Sequence, residues 1–161
     1  MIYLIGYMGS GKSTVASLLS KKLNYEYIEM DQEIERKEGM EIPQIFKNYG
    51  EDYFRNAETD LLKSIRGKVI VSTGGGVILS KENRDWLIDQ TVIFLDASFD
   101  TIDERLKEDT TRPLWSGQKE ENKQRYQDRL PLYQSAATHT IKVDKKEPEE
   151  IAEEILSCLN I

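Results

Sequence analysis

The chain reads as an α/β fold built on a five-stranded parallel sheet with helices on both faces. Three observations predict it. Short β-rich runs alternate along the sequence with stretches of helical periodicity, the pattern of a parallel sheet crossed by helices. The first run, Ile2-Tyr3-Leu4-Ile5, passes directly into the glycine loop Gly6-Tyr7-Met8-Gly9-Ser10-Gly11-Lys12-Ser13-Thr14 and then into an apolar-periodic stretch, giving strand, loop and helix in succession. The length of 161 residues suits one substantial core.

The elements follow in order. Runs rich in β-branched and aromatic residues predict strands at 2–5, 25–29, 69–72, 91–95 and 140–143. Helical spacing predicts helices at 12–23, 32–37, 42–48, 50–64, 81–90, 99–107, 119–135 and 148–159. In the last helix Ile151, Ile155, Leu156 and Leu159 form an apolar stripe that suits core packing, and Cys158 beside them is expected to be buried or half-buried. His139, the sole histidine, opens the last strand between threonines and reads as structural or exposed. One stretch breaks the pattern: residues 109–118, Asp-Thr-Thr-Arg-Pro-Leu-Trp-Ser-Gly-Gln, have no face that would pack as helix or strand. A mobile cover over a bound nucleotide is one reading of it, and an ordinary surface connection is the other.

Composition narrows the partners. Acidic residues outnumber basic ones 29 to 22, a formal charge of −7, which disfavours nonspecific attraction to nucleic acid or anionic membrane. A small-molecule substrate is therefore expected. A single cysteine rules out an intrachain disulfide and fits a reducing compartment. Only five residues precede Gly6 and no apolar run reaches membrane-crossing length, so the cytoplasm is the expected location. Nothing in the sequence demands an oligomer, and a monomer is expected.

The loop carries the firmest chemistry. Its pattern, G-x-x-x-x-G-K-S, has a physical reason at each fixed position. Glycines let backbone N–H groups curl around phosphate oxygens, Lys12 reaches the β and γ phosphates, and the Ser13 hydroxyl faces Mg²⁺. Nucleoside triphosphate binding is therefore expected of the loop, with the positive end of the following helix dipole behind it.

Ligands in open α/β sheets sit beyond the carboxyl ends of the strands, so the strand ends come next. Asp31 follows the second strand and suits either a base for a substrate hydroxyl or a helix N-cap. Glu29, two residues earlier, suits either the magnesium water shell or a solvated strand end. Gly74, Gly75 and Gly76 close the third strand, where backbone amides without a Cβ can approach a ligand, and Ser72 beside them is a candidate to support Mg²⁺ at one remove. Three arginines sit in segments unlike a plain helix face: Arg55 in Tyr-Phe-Arg-Asn, Arg112 in Thr-Arg-Pro-Leu and Arg129 in Arg-Leu-Pro-Leu-Tyr. Arginine grips carboxylate or phosphate bidentately, and Glu58 stands three residues beyond Arg55, at ion-pair spacing on a helix.

With these residues in hand the chain resembles the shikimate kinase family, nucleoside-monophosphate-kinase-like enzymes that use ATP to phosphorylate the 3-hydroxyl of shikimate in aromatic amino-acid (chorismate) biosynthesis. The likeness runs from Gly6 to the closing helix and rests on the phosphate loop, the acidic segment ending in Asp31 and continuing as Gln-Glu-Ile-Glu, Gly-Glu-Asp-Tyr-Phe-Arg with Glu58, Ser-Thr-Gly-Gly-Gly, Arg-Pro-Leu and Arg-Leu-Pro-Leu-Tyr. It implies a three-layer P-loop kinase fold over residues 1–161, with a substrate-binding region at 31–60 and a lid at 109–120. Asp31 would bind ring hydroxyls and act as base, Arg55 and Arg129 would hold the substrate carboxylate, and Gly75 with its neighbours would contact the substrate through amides. Arg112 would close over the phosphates, while Arg105 and the Lys145-Lys146 pair would border the adenine. Gly9, Ser10, Gly11, Lys12, Ser13 and Thr14 would hold the ATP phosphates, and Mg²⁺ would be shared between Ser13 and Glu29. Here the chain departs from the family, which usually has Asp-x-Asp after the second strand where this chain has Glu29-Met30-Asp31. The longer first acid implies an active enzyme with altered magnesium dependence. Two rival readings are a kinase for another polyol acid, such as gluconate, and a non-catalytic nucleotide-binding module.

Overall fold

A computed structural model describes residues 1–108 and 118–161. Five parallel strands form its sheet: β1 (Ile2–Ile5), β2 (Glu26–Glu29), β3 (Val69–Ser72), β4 (Thr91–Asp96) and β5 (His139–Lys142), in the order β2-β3-β1-β4-β5. Register follows from the pairs Tyr3 with Val71, Tyr3 with Val92, Ile28 with Val71, and Leu95 with Ile141. The three inner strands are buried almost throughout, as strands covered on both faces must be, and they read as near-continuous apolar runs. At the edges, β2 (Glu-Tyr-Ile-Glu) and β5 (His-Thr-Ile-Lys) mix polar residues with apolar ones and stay partly exposed.

The helices are α1 (Lys12–Leu23), α2 (Met30–Glu38), α3 (Ile42–Tyr49), α4 (Glu51–Ser64), α5 (Lys81–Leu87), α6 (Phe99–Lys107), α7 (Lys119–Ala136) and α8 (Pro148–Cys158), with a short 3-10 helix at Val77–Leu79. Around the sheet the core gathers Leu4, Ile5, Leu19, Ile70, Phe94, Ile141 and Ile155, all buried. Apolar side chains of this size each contribute roughly 1.5–3 kcal/mol on leaving water.

The predicted α/β class and parallel sheet are what the structure contains. Several boundaries move for identifiable reasons. α2 starts at Met30, directly after β2 and two residues before the predicted start, because Met30 is fully buried and continues the strand into the core without a loop. Asp31 therefore lies in the first turn of α2 and is not its N-cap; that position falls to Glu29, whose side chain makes no capping bond. α5 stops at Leu87, short of 90, where the N–H groups of Ile88 and Gln90 bond back to Asp85 and Leu87 in tighter turns. β5 begins one residue early, with His139 half-buried and aligned with Ile93. The 3-10 turn after the triglycine run has no periodic signal of its own and was not expected. Cys158 is exposed, against expectation: the stripe that packs inward is Ile151, Ala152 and Ile155, with Leu156 and Leu159 half-buried, and Cys158 falls on the other side of α8. Of the 109–120 stretch, residues 109–117, including Arg112, lie outside the described residues, and Lys119 and Glu120 already belong to α7.

Candidate active site

The glycine loop leaves β1 and wraps the N-terminus of α1. Gly6 cannot be replaced without conflict, since a Cβ there would stand 2.7 Å from Ser10 Oγ and 2.9 Å from the backbone oxygen of Leu95. Gly11, at φ 97°, occupies the left-handed region just before α1, which glycine enters at little cost. These two are the fixed glycines of the motif. Lys12 is buried, and its Nζ donates to the carbonyls of Gly6 (2.6 Å) and Tyr7 (3.1 Å), so the loop itself holds the ammonium group over its own mouth. Ser10 is buried with its N–H bonded to Tyr7 and its Oγ turned under the loop.

Ser13, at the start of α1, places its hydroxyl 2.5 Å from Glu29 Oε2 at the end of β2. Tyr27 Oη donates to the same carboxylate oxygen at 2.8 Å. Partial burial, with the Glu29 carboxylate alongside, pushes the Tyr27 phenol up to about 12, so it stays a donor at neutral pH. Tyr27 carried no signal in the sequence beyond its place in a strand.

Across the cleft, Arg55 on α4 donates from Nη1 to Glu58 Oε1 at 3.0 Å, the predicted i, i+3 pair, and from Nε to Glu51 Oε1 at 3.4 Å. Its guanidinium also lies over the Phe54 ring, 5.2 Å from the centroid. Glu58 is 1 % exposed, and burial raises its carboxyl above the ordinary range despite the opposing pull of Arg55. The triglycine turn fits against this group without spare room. A Cβ on Gly74 would lie 2.8 Å from Asp31 Oδ1 and 2.9 Å from Glu58 Oε2, and one on Gly76 would lie 2.5 Å from Arg55 Nη1. Arg129 comes from α7, its guanidinium 5.7 Å from the Tyr7 ring centroid and 3.7 Å from the place a Gly75 Cβ would take.

These residues meet in one cavity of about 480 Å³ over the carboxyl ends of β1, β2 and β3. Gly9, Gly11, Lys12, Ser13 and Thr14 line one side, while Asp31, Arg55, Gly74, Gly75, Gly76 and Arg129 line the other, with Glu29 between. Glu29 and Asp31 reach it together, one ending β2 and the other in the first turn of α2. Met8 and Glu58 also line it, as do Ile42, Phe46, Phe54 and Thr73, which were not among the predicted residues. Arg105 and Lys146 face a separate cavity of about 310 Å³ on the far side of the loop, with Gly9, Ser10 and Thr14. There Arg105 Nη1 donates to the Gly9 carbonyl at 2.9 Å, and Lys146 pairs with Glu154 at 2.7 Å. Ser72 is fully buried beside Glu29, its register partner across β2 and β3, and does not line either cavity.

A phosphate loop between a parallel sheet and α1, opening on a cavity sized for small molecules, puts this chain among the P-loop small-molecule kinases. The profile of the family described as Shikimate kinase matches residues 8–160. A shikimate kinase of Aquifex aeolicus is 43 % identical over 162 residues, covering 98 % of this chain and 95 % of the relative. The solved shikimate kinase of Acinetobacter baumannii, in complex with shikimate, superimposes with a TM-score of 0.88 at 37 % identity, covering 99 % of this chain and 92 % of that one. A gluconokinase of Sinorhizobium meliloti, 20 % identical with a TM-score of 0.62 over 99 % and 90 % of the two chains, shares the fold alone. The chain belongs to the shikimate kinase family, whose members are ATP-dependent kinases.

Proposed function

We propose that this chain transfers the γ-phosphoryl group of ATP to the 3-hydroxyl of shikimate, with residues 31–60 as the acceptor-binding region of one kinase domain. The observation that carries this reading is the convergence of phosphate-loop residues and an acceptor set of Asp31, Arg55 and Arg129 on a single cavity. Family membership supports it, and so does the shikimate bound by the Acinetobacter baumannii relative.

In this reading Lys12 and the loop amides hold the transferring phosphates while Arg55 and Arg129 grip the acceptor carboxylate and orient its ring. Asp31 takes the proton of the 3-hydroxyl as that oxygen bonds to the γ-phosphorus, and the bond from the γ-phosphorus to the bridging oxygen breaks, so that ADP leaves with the electron pair. Arg112 and the 109–120 lid, most of which lies outside the described residues, would close over the phosphates, and Arg105 and Lys146 would flank the adenine. Mg²⁺ fits this donor set: Ser13 and Glu29 bring two hard oxygen ligands together at the cavity edge, suited to a cation that keeps much of its water. When bound, it neutralises charge on the β and γ phosphates. Among the described residues no helix is long and apolar enough to cross a membrane. The single cysteine supports a reducing, cytoplasmic setting, and the chain is taken to act there as a monomer.

A coupled assay of ADP release tests the reading. Release is expected to accelerate with shikimate; acceleration only by another acid, such as gluconate, overturns the substrate, and none by any acid favours a nucleotide-binding module.

A further inference from the structure

Tyr133 is buried at 1 % exposure in α7, yet its polar tip is not idle. Its hydroxyl donates to the carbonyl of Gly75, 58 residues away in sequence, and its ring stacks on Phe94 of β4 with centroids 5.3 Å apart and planes 20° apart. A buried hydroxyl is costly unless bonded, so a phenol here, where phenylalanine would fill the same space, implies that the bond matters. Burial also raises its phenol above the ordinary value, which keeps it a donor.

The partner it holds is the middle of the triglycine turn. In a trans peptide the carbonyl of one residue and the N–H of the next point to opposite sides, so fixing the Gly75 carbonyl toward α7 turns the Gly76 amide away from α7. The turn is closed by other groups: the N–H of Val77 bonds to Gly74 and that of Leu79 to Gly76, while the Gly76 N–H has no backbone partner among the described residues. Gly76 also stands hard against Arg55. One helical turn before Tyr133 on the same helix is Arg129, whose charge borders the same phenol.

We propose that Tyr133 is a positioning residue that couples the two sides of the acceptor site, fixing the Gly75–Gly76 peptide plane and holding α7 in register so that the Gly76 amide and the Arg129 guanidinium face one ligand. The proposal rests on the reading that the triglycine turn and Arg129 hold the acceptor. Tyr133 itself touches no reacting atom. Its effect appears in how well the acceptor is bound and oriented, not in the phosphoryl step.

The test is Tyr133→Phe, which keeps the ring and its stack on Phe94. The KM for shikimate is expected to rise about five- to tenfold, the range of one lost hydrogen bond, with KM for ATP and kcat at saturating shikimate within about twofold of the parent. Shikimate binding measured by calorimetry should weaken by the same factor while ADP binding holds. Ile141→Val, a remote core change in β5, serves as the control for lost stability. If Tyr133→Phe leaves the shikimate KM within twofold, raises both KM values alike, or is matched by Ile141→Val, the coupling is wrong. A different failure marks the underlying reading: a parent enzyme that does not turn over shikimate, or an Arg129→Ala variant that binds it normally. A large Arg129→Ala effect beside a silent Tyr133→Phe removes the coupling alone.

Discussion

Arg55 Nη1 lies 3.0 Å from Glu58 Oε1 across one turn of α4, tying a half-buried guanidinium to a carboxylate with 1 % exposure. The guanidinium is thereby pressed against Gly76 and aimed into the cavity, while the carboxylate sits behind it, away from water. Removing one member of such a pair leaves the other buried and uncompensated. The pair therefore orients Arg55 at a cost in solvation, and that cost is measurable.

Because burial outweighs Arg55 and raises the folded-state value of Glu58, the folded chain binds a proton that the unfolded chain releases. The sign follows directly: this contribution to stability is full below the unfolded carboxyl value of about 4.3 and is lost as pH rises through the raised folded value. Thermal melts of the parent and Glu58→Gln between pH 4 and 8 should show the parent losing stability relative to the variant as pH increases. A difference that is flat or rises with pH contradicts the prediction.

Asp31→Asn is expected to keep the geometry of the first turn of α2 while removing the proton acceptor. Turnover should fall by about 10²–10⁴, with KM for ATP nearly unchanged. Steady-state kinetics with both substrates varied provide the check, and unchanged kcat rules out a base at this position.

Gly76→Ala and Gly6→Ala separate function from folding. Gly76 has φ −97° and ψ 8°, open to alanine, and the nearest atoms its new methyl would meet are at the end of the Arg55 side chain. The fold should persist, with the shikimate KM raised about tenfold or more by the displaced guanidinium. Gly6, at φ 154°, would press its methyl on the Leu95 backbone, and stability should fall by about 2 kcal/mol or more. Melting temperatures and kinetics for both variants decide the matter; equal loss of stability contradicts it.

Glu29→Asp shortens the acid that now reaches Ser13 at 2.5 Å. With that hydrogen bond lost, less competes with the cation, and half-saturation by Mg²⁺ is expected to fall about threefold, while metal-free ADP binding stays constant. A magnesium titration without change in kcat or metal affinity removes the basis for any special role of the longer side chain.

The sequence alone determined the phosphate loop, the alternation that builds the parallel sheet, and the identity of Asp31, Arg55, Gly74–Gly76 and Arg129 as residues at strand ends or in unusual segments. Each of these signals is local: a fixed spacing, a period of two or 3.6, or glycines in a run. The Arg55–Glu58 pair was legible for the same reason, since three residues on a helix define a distance. Tertiary structure decided the rest. Asp31 and Glu58 flank Gly74, Tyr133 holds Gly75, and Arg105 with Lys146 occupies a cavity apart from the acceptor residues. It also set Glu29 as the N-cap position and turned Cys158 outward. These depend on how helices far apart in sequence settle on the sheet, and on burial, which governs both the raised carboxyl of Glu58 and the bonded phenol of Tyr133 and has no counterpart in residue spacing.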